Sequence, residues 1–318
     1  MFRTTALRKI FTTTLTMFIL LALYTIPTTE ESNVLKTNLE IEEVTSLSTN
    51  SIYLLNNNGY LVKTKILIDT DDKKEAVYKI LSNLIKQENS KFPNSLSATI
   101  PEGTKINEII YANNIITIDL SKEILSIDVS YEEQMIASIV YSITELKDVK
   151  GVTILVDGEN LSEYPNTHEK LDLVLDRSIG INKRYSVTSR NNISKVVIYY
   201  LENIEDEIYY VPVTKYLNDD RDKIKIILED LSTNYIYENN LMSFLNSKVK
   251  LLDYKEENDM LVLNFNDYLF DHSDKILEEV IYSISYSVFD NYNVNMVMFE
   301  VNNEEVKHIS REDLQKNT

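Results

Sequence analysis

Hydrophobic side chains recur at helical spacing in two distant segments of the chain. One segment contains IVYSIT at residues 139–144, and the other contains VIYSIS at residues 280–285. In both, apolar positions three and four apart line one face of a helix. Because similar strand-like runs flank both segments, the pattern predicts one unit used twice.

The neighbouring elements match in the same order. Sequence offsets between the copies stay between 141 and 147 and change only in predicted loops. Each copy has the order strand–strand–helix–strand–strand–helix–strand. This order predicts an α+β fold of tandem two-layer α/β sandwiches, with two helices on one face of a mixed or antiparallel sheet. The matched segments are 51–68 with 195–213, 77–84 with 224–231, 115–125 with 261–270, and 152–161 with 297–306.

The first residues predict a membrane segment. Residues 10–26 are mostly apolar and uncharged, and Arg3, Arg8 and Lys9 precede them. This layout is typical of a signal sequence or a signal anchor. The segment is near the lower limit of length for a membrane span but is longer than the apolar core of a typical cleaved signal. Because no clear A-x-A cleavage site follows either, an uncleaved anchor is favoured over a cleaved signal. The basic flank would then keep residues 30–318 outside the cytoplasm.

These features predict six regions along the chain. They are a signal sequence or anchor (1–29), a tether (30–50), a first domain (51–161), a connector (162–193), a second domain (194–310) and a tail (311–318).

Several short motifs in copy 1 carry a family resemblance. They are IPEGTKI at 100–106, IITIDLSKEI at 115–124, a helix over 131–146 and VTILVDGENL at 152–161. In this order they resemble the GerMN domain family of sporulation and germination proteins, and SIGIN at 178–182 resembles the segment that enters a second copy. The resemblance assigns structural roles to Pro101, Gly103, Thr104, Asp119, Ser121, Thr144, Asp157 and Gly158.

Copy 2 departs from these motifs at the turns. Asn264 stands in place of Asp119, and the remaining changes fall at Asn246, Lys248, Asn302 and Asn303. The family's usual lipid-anchoring Cys is also missing, because the chain has no Cys. The peptide segment at 10–26 must therefore provide any membrane anchor.

The resemblance implies a non-enzymatic envelope protein of endospore formers. Such a protein would lie in the intermembrane space of the forespore, would bind other envelope or sporulation complex proteins, and could self-associate. The family fold is similar to the ring-building motif of secretion-system proteins.

The composition and the missing motifs exclude several kinds of functional site. The 318 residues carry a net charge of −18, which disfavours nucleic acid as a partner. Five Gly and the absence of nucleotide-binding motifs leave no predicted phosphate loop. His168, His272 and His308 have no metal-ligand spacing. The sequence therefore predicts no catalytic residue, no metal site and no cofactor.

Two residue types still invite a functional interpretation. Asp119, at a strand end, is the best candidate for acid–base chemistry, but an Asp there also caps a turn, and its counterpart Asn264 cannot titrate. Tyrosine is abundant, with 21 residues. Four tyrosines open copy 2 and form a possible interface, because Tyr buries area while keeping a polar tip. They are Tyr199, Tyr200, Tyr209 and Tyr210.

Three functions remain open at this stage. The leading hypothesis is an envelope scaffold or assembly protein that acts in endospore formation and germination. A membrane-anchored ligand sensor is the second, and it predicts a cleft near residues 162–193. The third is a carboxylate-dependent envelope hydrolase.

Overall fold

The computed structural model describes residues 14–17, 48–233, 240–271 and 275–316. Copy 1 alternates strands and helices in the predicted order. Its elements are β1 Ser48–Asn56, β2 Leu61–Ile68, α1 Lys73–Leu84, β3 Leu96–Ser97, β4 Ile106–Ala112, β5 Ile115–Leu120, α2 Glu132–Ile143, β6 Gly151–Val156 and β7 Glu159–Asn160.

Copy 2 repeats this order after the connector, which contributes β8 Arg184–Ser186. The predicted tail forms a helix over six of its residues, and this helix contacts β1 of copy 1. The elements are β9 Ser194–Ile204, β10 Glu207–Leu217, α3 Lys223–Ser232, β11 Leu251–Glu257, β12 Met260–Phe265, α4 Glu278–Asn291, β13 Met296–Val301, β14 Glu304–Ser310 and α5 Arg311–Lys316.

Helix α1 shows how local sequence sets these elements. It begins after Asp72, whose side chain accepts a hydrogen bond from the backbone N–H of Glu75 at 2.9 Å. An Asp at this position caps the helix by accepting a hydrogen bond from a backbone N–H of the first turn. Val77, Ile80 and Leu84 then share one buried face that packs into the core. Buried side chains of both copies belong to one continuous hydrophobic core.

Each copy holds a four-stranded sheet of the same topology. The strand orders are β4-β5-β6-β7 and β11-β12-β13-β14. In each sheet the two central strands are parallel and the outer pairs are antiparallel. The strands of the second four-stranded sheet follow those of the first at a constant offset of 145 residues, counted from the first residue of each strand.

The opening hairpins of the two copies meet in one sheet. Strand β1 pairs with β2 and β9 pairs with β10, and β2 joins β10 at Lys63 and Tyr210. The strand order is β3-β1-β2-β10-β8, with β9 also paired to β10. We expected the strands of each copy in one sheet, and this is wrong for the hairpins. An alternating pattern shows that a strand has a buried face, but it does not show which strand lies at its edge.

The predicted anchor at 10–26 lies outside the described residues except for 14–17, which are helical. Among the residues that the structure describes, no helix is long and apolar enough to cross a membrane. The anchor stays a prediction.

Candidate functional site at the junction of the two copies

Serine side chains from α2 and α4 bind the outer edges of the hairpins. Ser142 Oγ accepts a hydrogen bond from the backbone N–H of Tyr53 at 3.0 Å. Ser287 Oγ accepts one from the backbone N–H of Tyr199 at 2.9 Å. Because an unpaired buried N–H is costly, these contacts fix each helix against its strand. The two copies make this contact with corresponding residues.

The serine contacts also correct the alignment of the two helices. The counterpart of IVYSIT at 139–144 is ISYSVF at 284–289, which keeps the offset of 145 seen in the strands. The match to 280–285 is wrong by one helical turn. It arose because a Tyr-Ser pair occurs at both 282–283 and 286–287, four residues apart on the same helix face.

With this alignment, corresponding tyrosines and carboxylates face each other between the copies. Tyr53 OH donates to Glu145 at 2.7 Å, and Tyr199 OH donates to Asp290 at 2.8 Å. The two hydroxyl groups lie 3.2 Å apart. With two cations they form the junction cluster, which consists of Tyr53, Lys63, Glu145, Arg177, Tyr199 and Asp290.

Arg177 links the two halves of the junction cluster. It comes from the connector, and its guanidinium donates to both Glu145 and Asp290. Lys63 Nζ lies 2.7 Å from the Glu145 carboxylate. The side chains of Lys63, Glu145 and Asp290 are 4%, 12% and 6% exposed, so water screens these pairs weakly. Two positive and two negative charges balance one another within the cluster.

Burial and charge together set the protonation states. Burial by itself would raise the pKa of Glu145, but the charges of Lys63 and Arg177 outweigh it and lower that pKa from 4.5 to about 2. Burial lowers the pKa of Lys63 against the attraction of Glu145. Burial also raises the pKa of the Tyr53 and Tyr199 hydroxyls, which therefore stay neutral hydrogen-bond donors.

C-terminal to Arg177, the connector is hydrogen-bonded to both hairpins. Asn182 accepts a hydrogen bond from the backbone N–H of Leu61 at 2.9 Å and donates to the carbonyl oxygens of Leu61 and Pro212. Gly180 has a φ of 78°, and a Cβ there would lie 3.0 Å from the hydroxyl of Tyr216. Residues 162–193 were predicted to be a connector, and within them Gly180 and Asn182 pack against the hairpins.

An open cleft of about 1250 Å³ runs along the junction. Asp176, Arg177 and Ser178 of the connector line it, together with Lys63 and Arg311. Its position agrees with the cleft that the sensor hypothesis expected near residues 162–193. All four charged residues of the junction cluster are among its lining residues.

The motif residues of copy 1 lie in turns and caps. Gly103 has a φ of 81°, and Thr104 Oγ1 donates to the Pro101 carbonyl oxygen at 2.8 Å. Ser121 Oγ accepts from the backbone N–H of Lys105 at 2.9 Å. Thr144 Oγ1 donates to the carbonyl oxygen of Val140 at 2.7 Å and accepts from Arg177. Each hydroxyl is used for local structure.

Asp119 and Asn264 make the same contact in the two copies. Asp119 Oδ1 accepts from the backbone N–H of Gly158 at 2.9 Å, and Asn264 Oδ1 accepts from the backbone N–H of Asn303 at 3.0 Å. In copy 1, Asp157 and Gly158 both have positive φ, as the corresponding residues of copy 2 do. These are tight hairpin turns in which Asn tolerates the left-handed conformation. A neutral amide therefore fills the role of the carboxylate.

The four tyrosines proposed as an interface face inward. Tyr199, Tyr200 and Tyr209 are buried, and Tyr210 pairs with Lys63 of copy 1. An accessible surface formed by these tyrosines is therefore contradicted. Tyr199 and Tyr210 contact copy 1 through Tyr53 and Lys63, so an aromatic strand residue with a polar tip also suits an internal boundary. The hydroxyls of Tyr200 and Tyr209 instead donate to Asp230 and Glu207 of copy 2.

The histidines contribute no shared site among the described residues. His168 pairs with Glu163, and His308 pairs with Glu305, both at the surface and 2.9 Å apart. His272 lies outside the described residues. In residues 14–17, 48–233, 240–271 and 275–316, no three His, Asp or Glu side chains are grouped to hold a metal ion.

The fold and the junction define a tandem-repeat α+β protein whose two copies are joined by shared strands and a buried ionic cluster. A family model, Germane, described as "Sporulation and spore germination", matches residues 51–162 and 197–307. The chain belongs to this family, which confirms the repeat and the resemblance drawn from the motifs.

The chain is similar to GerM of Bacillus subtilis, both in sequence and in solved structure. Spore germination protein GerM of strain 168 is 25% identical over 271 residues, which cover 82% of this chain and 73% of that protein. The solved structure of the tandem GerMN domains of the sporulation protein GerM aligns with a TM-score of 0.74 and 24% identity. The alignment covers 84% of this chain and 97% of that one, which supports the same tandem fold.

Proposed function

We propose that this protein is a non-enzymatic scaffold of the cell envelope that acts in spore formation and germination. Family membership and the similarity to GerM support the biological process. The scaffold role is supported mainly by the use of polar groups at the junction, where charges pair with one another and fasten two copies together. Residues 10–26 would hold the protein to the membrane, with the two copies outside the cytoplasm.

Association with other proteins would use the outer edges of the four-stranded sheets. Strands β4 and β11 each pair on one side only within their sheet. An edge strand offers free backbone groups to a strand from another chain. Partners would be other envelope or sporulation proteins, or further copies of this chain.

Genetic complementation tests this proposal. Deletion of the gene in its source organism is expected to lower the yield of heat-resistant spores or their germination. Wild-type protein should restore both, whereas Ile110→Lys on β4 should not, because an edge lysine opposes strand addition. Leu125→Lys is the matched control, since Leu125 is 42% exposed and Ile110 is 41% exposed. Normal spores and germination in the deletion strain would refute the proposal.

A ligand sensor is the second candidate, and the open junction cleft favours it. A thermal-shift screen with small metabolites tests this role. A reproducible rise in unfolding temperature that is lost on changing Arg311, which lines the cleft, would support a sensor. The carboxylate-hydrolase alternative has weak support, because its best residue, Asp119, holds a turn that Asn264 holds equally.

A further inference from the structure

A second depression shares no lining residue with the junction cleft. It measures about 560 Å³ and lies between the β1–β2 turn, the start of α2 and residues 180–186. We name it the connector groove. Its floor is held by the hydrogen bonds of Asn182 to Leu61 and Pro212, so the groove is formed in advance of any ligand.

One exposed aromatic ring stands in this groove. Tyr185 is 66% exposed and stacks on Tyr216 with ring centroids 4.9 Å apart and planes 12° from parallel. The stack fixes the ring of Tyr185, and its outer face is open to solvent. Tyr60, the other aromatic residue in the lining, is buried. A single rigid aromatic face of this kind suits a flat, weakly polar ligand surface.

Polar side chains surround the exposed ring. The side chain of Gln134, half-buried on α2, makes no hydrogen bond with the described residues, and neither does the hydroxyl of Ser186. Gln134 offers a donor and an acceptor together. Lys183 lies 3.4 Å from Glu133, and Arg184 stands beside them, so cations outnumber acids in the lining.

We propose that the connector groove binds an oligosaccharide, with one sugar ring stacked on Tyr185. The C–H face of a pyranose is weakly positive and fits the negative face of an aromatic ring. Sugar hydroxyls both donate and accept, which matches the free groups of Gln134 and Ser186. The excess of Lys183 and Arg184 over Glu133 favours a sugar that carries carboxylates.

Other ligands fit these features less well. Single-stranded nucleic acid binds by stacking successive bases on several aromatic side chains, and in this groove only Tyr185 presents an exposed ring. Proline-rich peptides dock in grooves lined by several aromatic side chains, and here only Tyr185 presents a free face.

Calorimetric titration of the full-length chain in mild detergent tests the proposal. The probes are a hexagalacturonate, which is acidic, and a neutral hexamer of N-acetylglucosamine. Saturable binding is expected for both, with the acidic sugar binding more tightly. Tyr185→Ala should weaken binding about three- to tenfold, the range expected for one aromatic contact. Tyr185→Phe should keep the affinity, and Gln134→Ala should lower it from the opposite wall of the groove.

Tyr268→Ala is the matched control, because Tyr268 is 51% exposed and lies near Lys248 on copy 2. It should bind both sugars like the wild type. The proposal is overturned if neither hexasaccharide binds saturably, or if Tyr185→Ala and Gln134→Ala bind as the wild type does. It is also overturned if a proline-rich peptide or single-stranded DNA displaces the sugars and binds Tyr185 more tightly.

Discussion

Replacing Arg177 by methionine removes the cation that bridges Glu145 and Asp290. Glu145 keeps Lys63 as a partner at 2.7 Å. Asp290, which is 6% exposed, loses its ion pair with Arg177 and keeps the hydrogen bond that the Tyr199 hydroxyl donates. The variant therefore leaves a buried carboxylate without a nearby paired cation.

The expected loss of stability follows from these contacts. Breaking a buried ion pair by removing one partner costs about 3–5 kcal/mol. The lowered pKa of Glu145, from 4.5 to about 2, corresponds to about 3 kcal/mol of net stabilisation of its charged form. Because Arg177 is itself 26% exposed, we expect the lower end, about 3 kcal/mol.

Urea unfolding at pH 7 and low salt, followed by circular dichroism and tyrosine fluorescence together, measures this loss. Urea is chosen because guanidinium would screen the charges. The double variant R177M/D290N removes the stranded charge and should recover about 1–3 kcal/mol relative to the sum of the single changes. Arg221→Met is the matched control, because Arg221 also bridges two carboxylates, Asp219 and Glu229, but is 48% exposed.

The control should lose clearly less stability than Arg177→Met, because solvent screens the ion pairs of an exposed arginine. The reasoning about the junction is refuted if Arg177→Met is no more destabilising than Arg221→Met. Additive effects at positions 177 and 290 would likewise show that the two side chains do not interact as described.

Three further changes have defined outcomes. Asp119→Asn should keep the free energy of unfolding in urea within about 0.5 kcal/mol, while Asp119→Ala should lose about 1 kcal/mol with the turn hydrogen bond; equal losses would contradict the turn role. Gly180→Ala should lower the free energy of unfolding by about 1–2 kcal/mol, because Gly180 has a positive φ and a Cβ would approach the Tyr216 hydroxyl. An unchanged free energy of unfolding would contradict this account. The lowered pKa of Glu145 stabilises the fold above pH 4.5, and this stability is lost as the pH falls towards 2. Arg177→Met should move the loss to higher pH in an acid titration of unfolding, and an unchanged profile would contradict the assignment.

The hydrogen bonds in the hairpin turns could be predicted from local sequence. Asp119 lies near the end of an apolar strand, and Asn264 occupies the corresponding position of copy 2, so one hydrogen-bonding role could be assigned to both from sequence. In the structure the two side chains accept hydrogen bonds from corresponding backbone N–H groups, those of Gly158 in copy 1 and Asn303 in copy 2. Such predictions succeed because the interacting groups belong to motifs that can be compared between the copies.

The junction cluster was missed for a different reason. The sequence does carry a signal, since Tyr53 and Tyr199 occupy matching strand positions, and Glu145 and Asp290 end matching helices at an offset of 145. The match of residues 139–144 with 280–285 displaced one helix by one turn, so Glu145 and Asp290 were not aligned with each other. Residues four apart lie on the same face of a helix, so the hydrophobic period fits both alignments of the two helices. Periodicity alone could therefore not select the correct alignment.

The sequence by itself determined the repeat, the order of its elements and the residues of its tight turns, because these depend on periodicity and local backbone preferences. Only the tertiary structure decided that the hairpins of both copies share a sheet and that Arg177 closes a cluster drawn from both copies and the connector. Its partners Glu145 and Asp290 lie 32 and 113 positions away along the chain. Contacts over such distances depend on which faces and edges meet, and these are chosen by packing of the whole core.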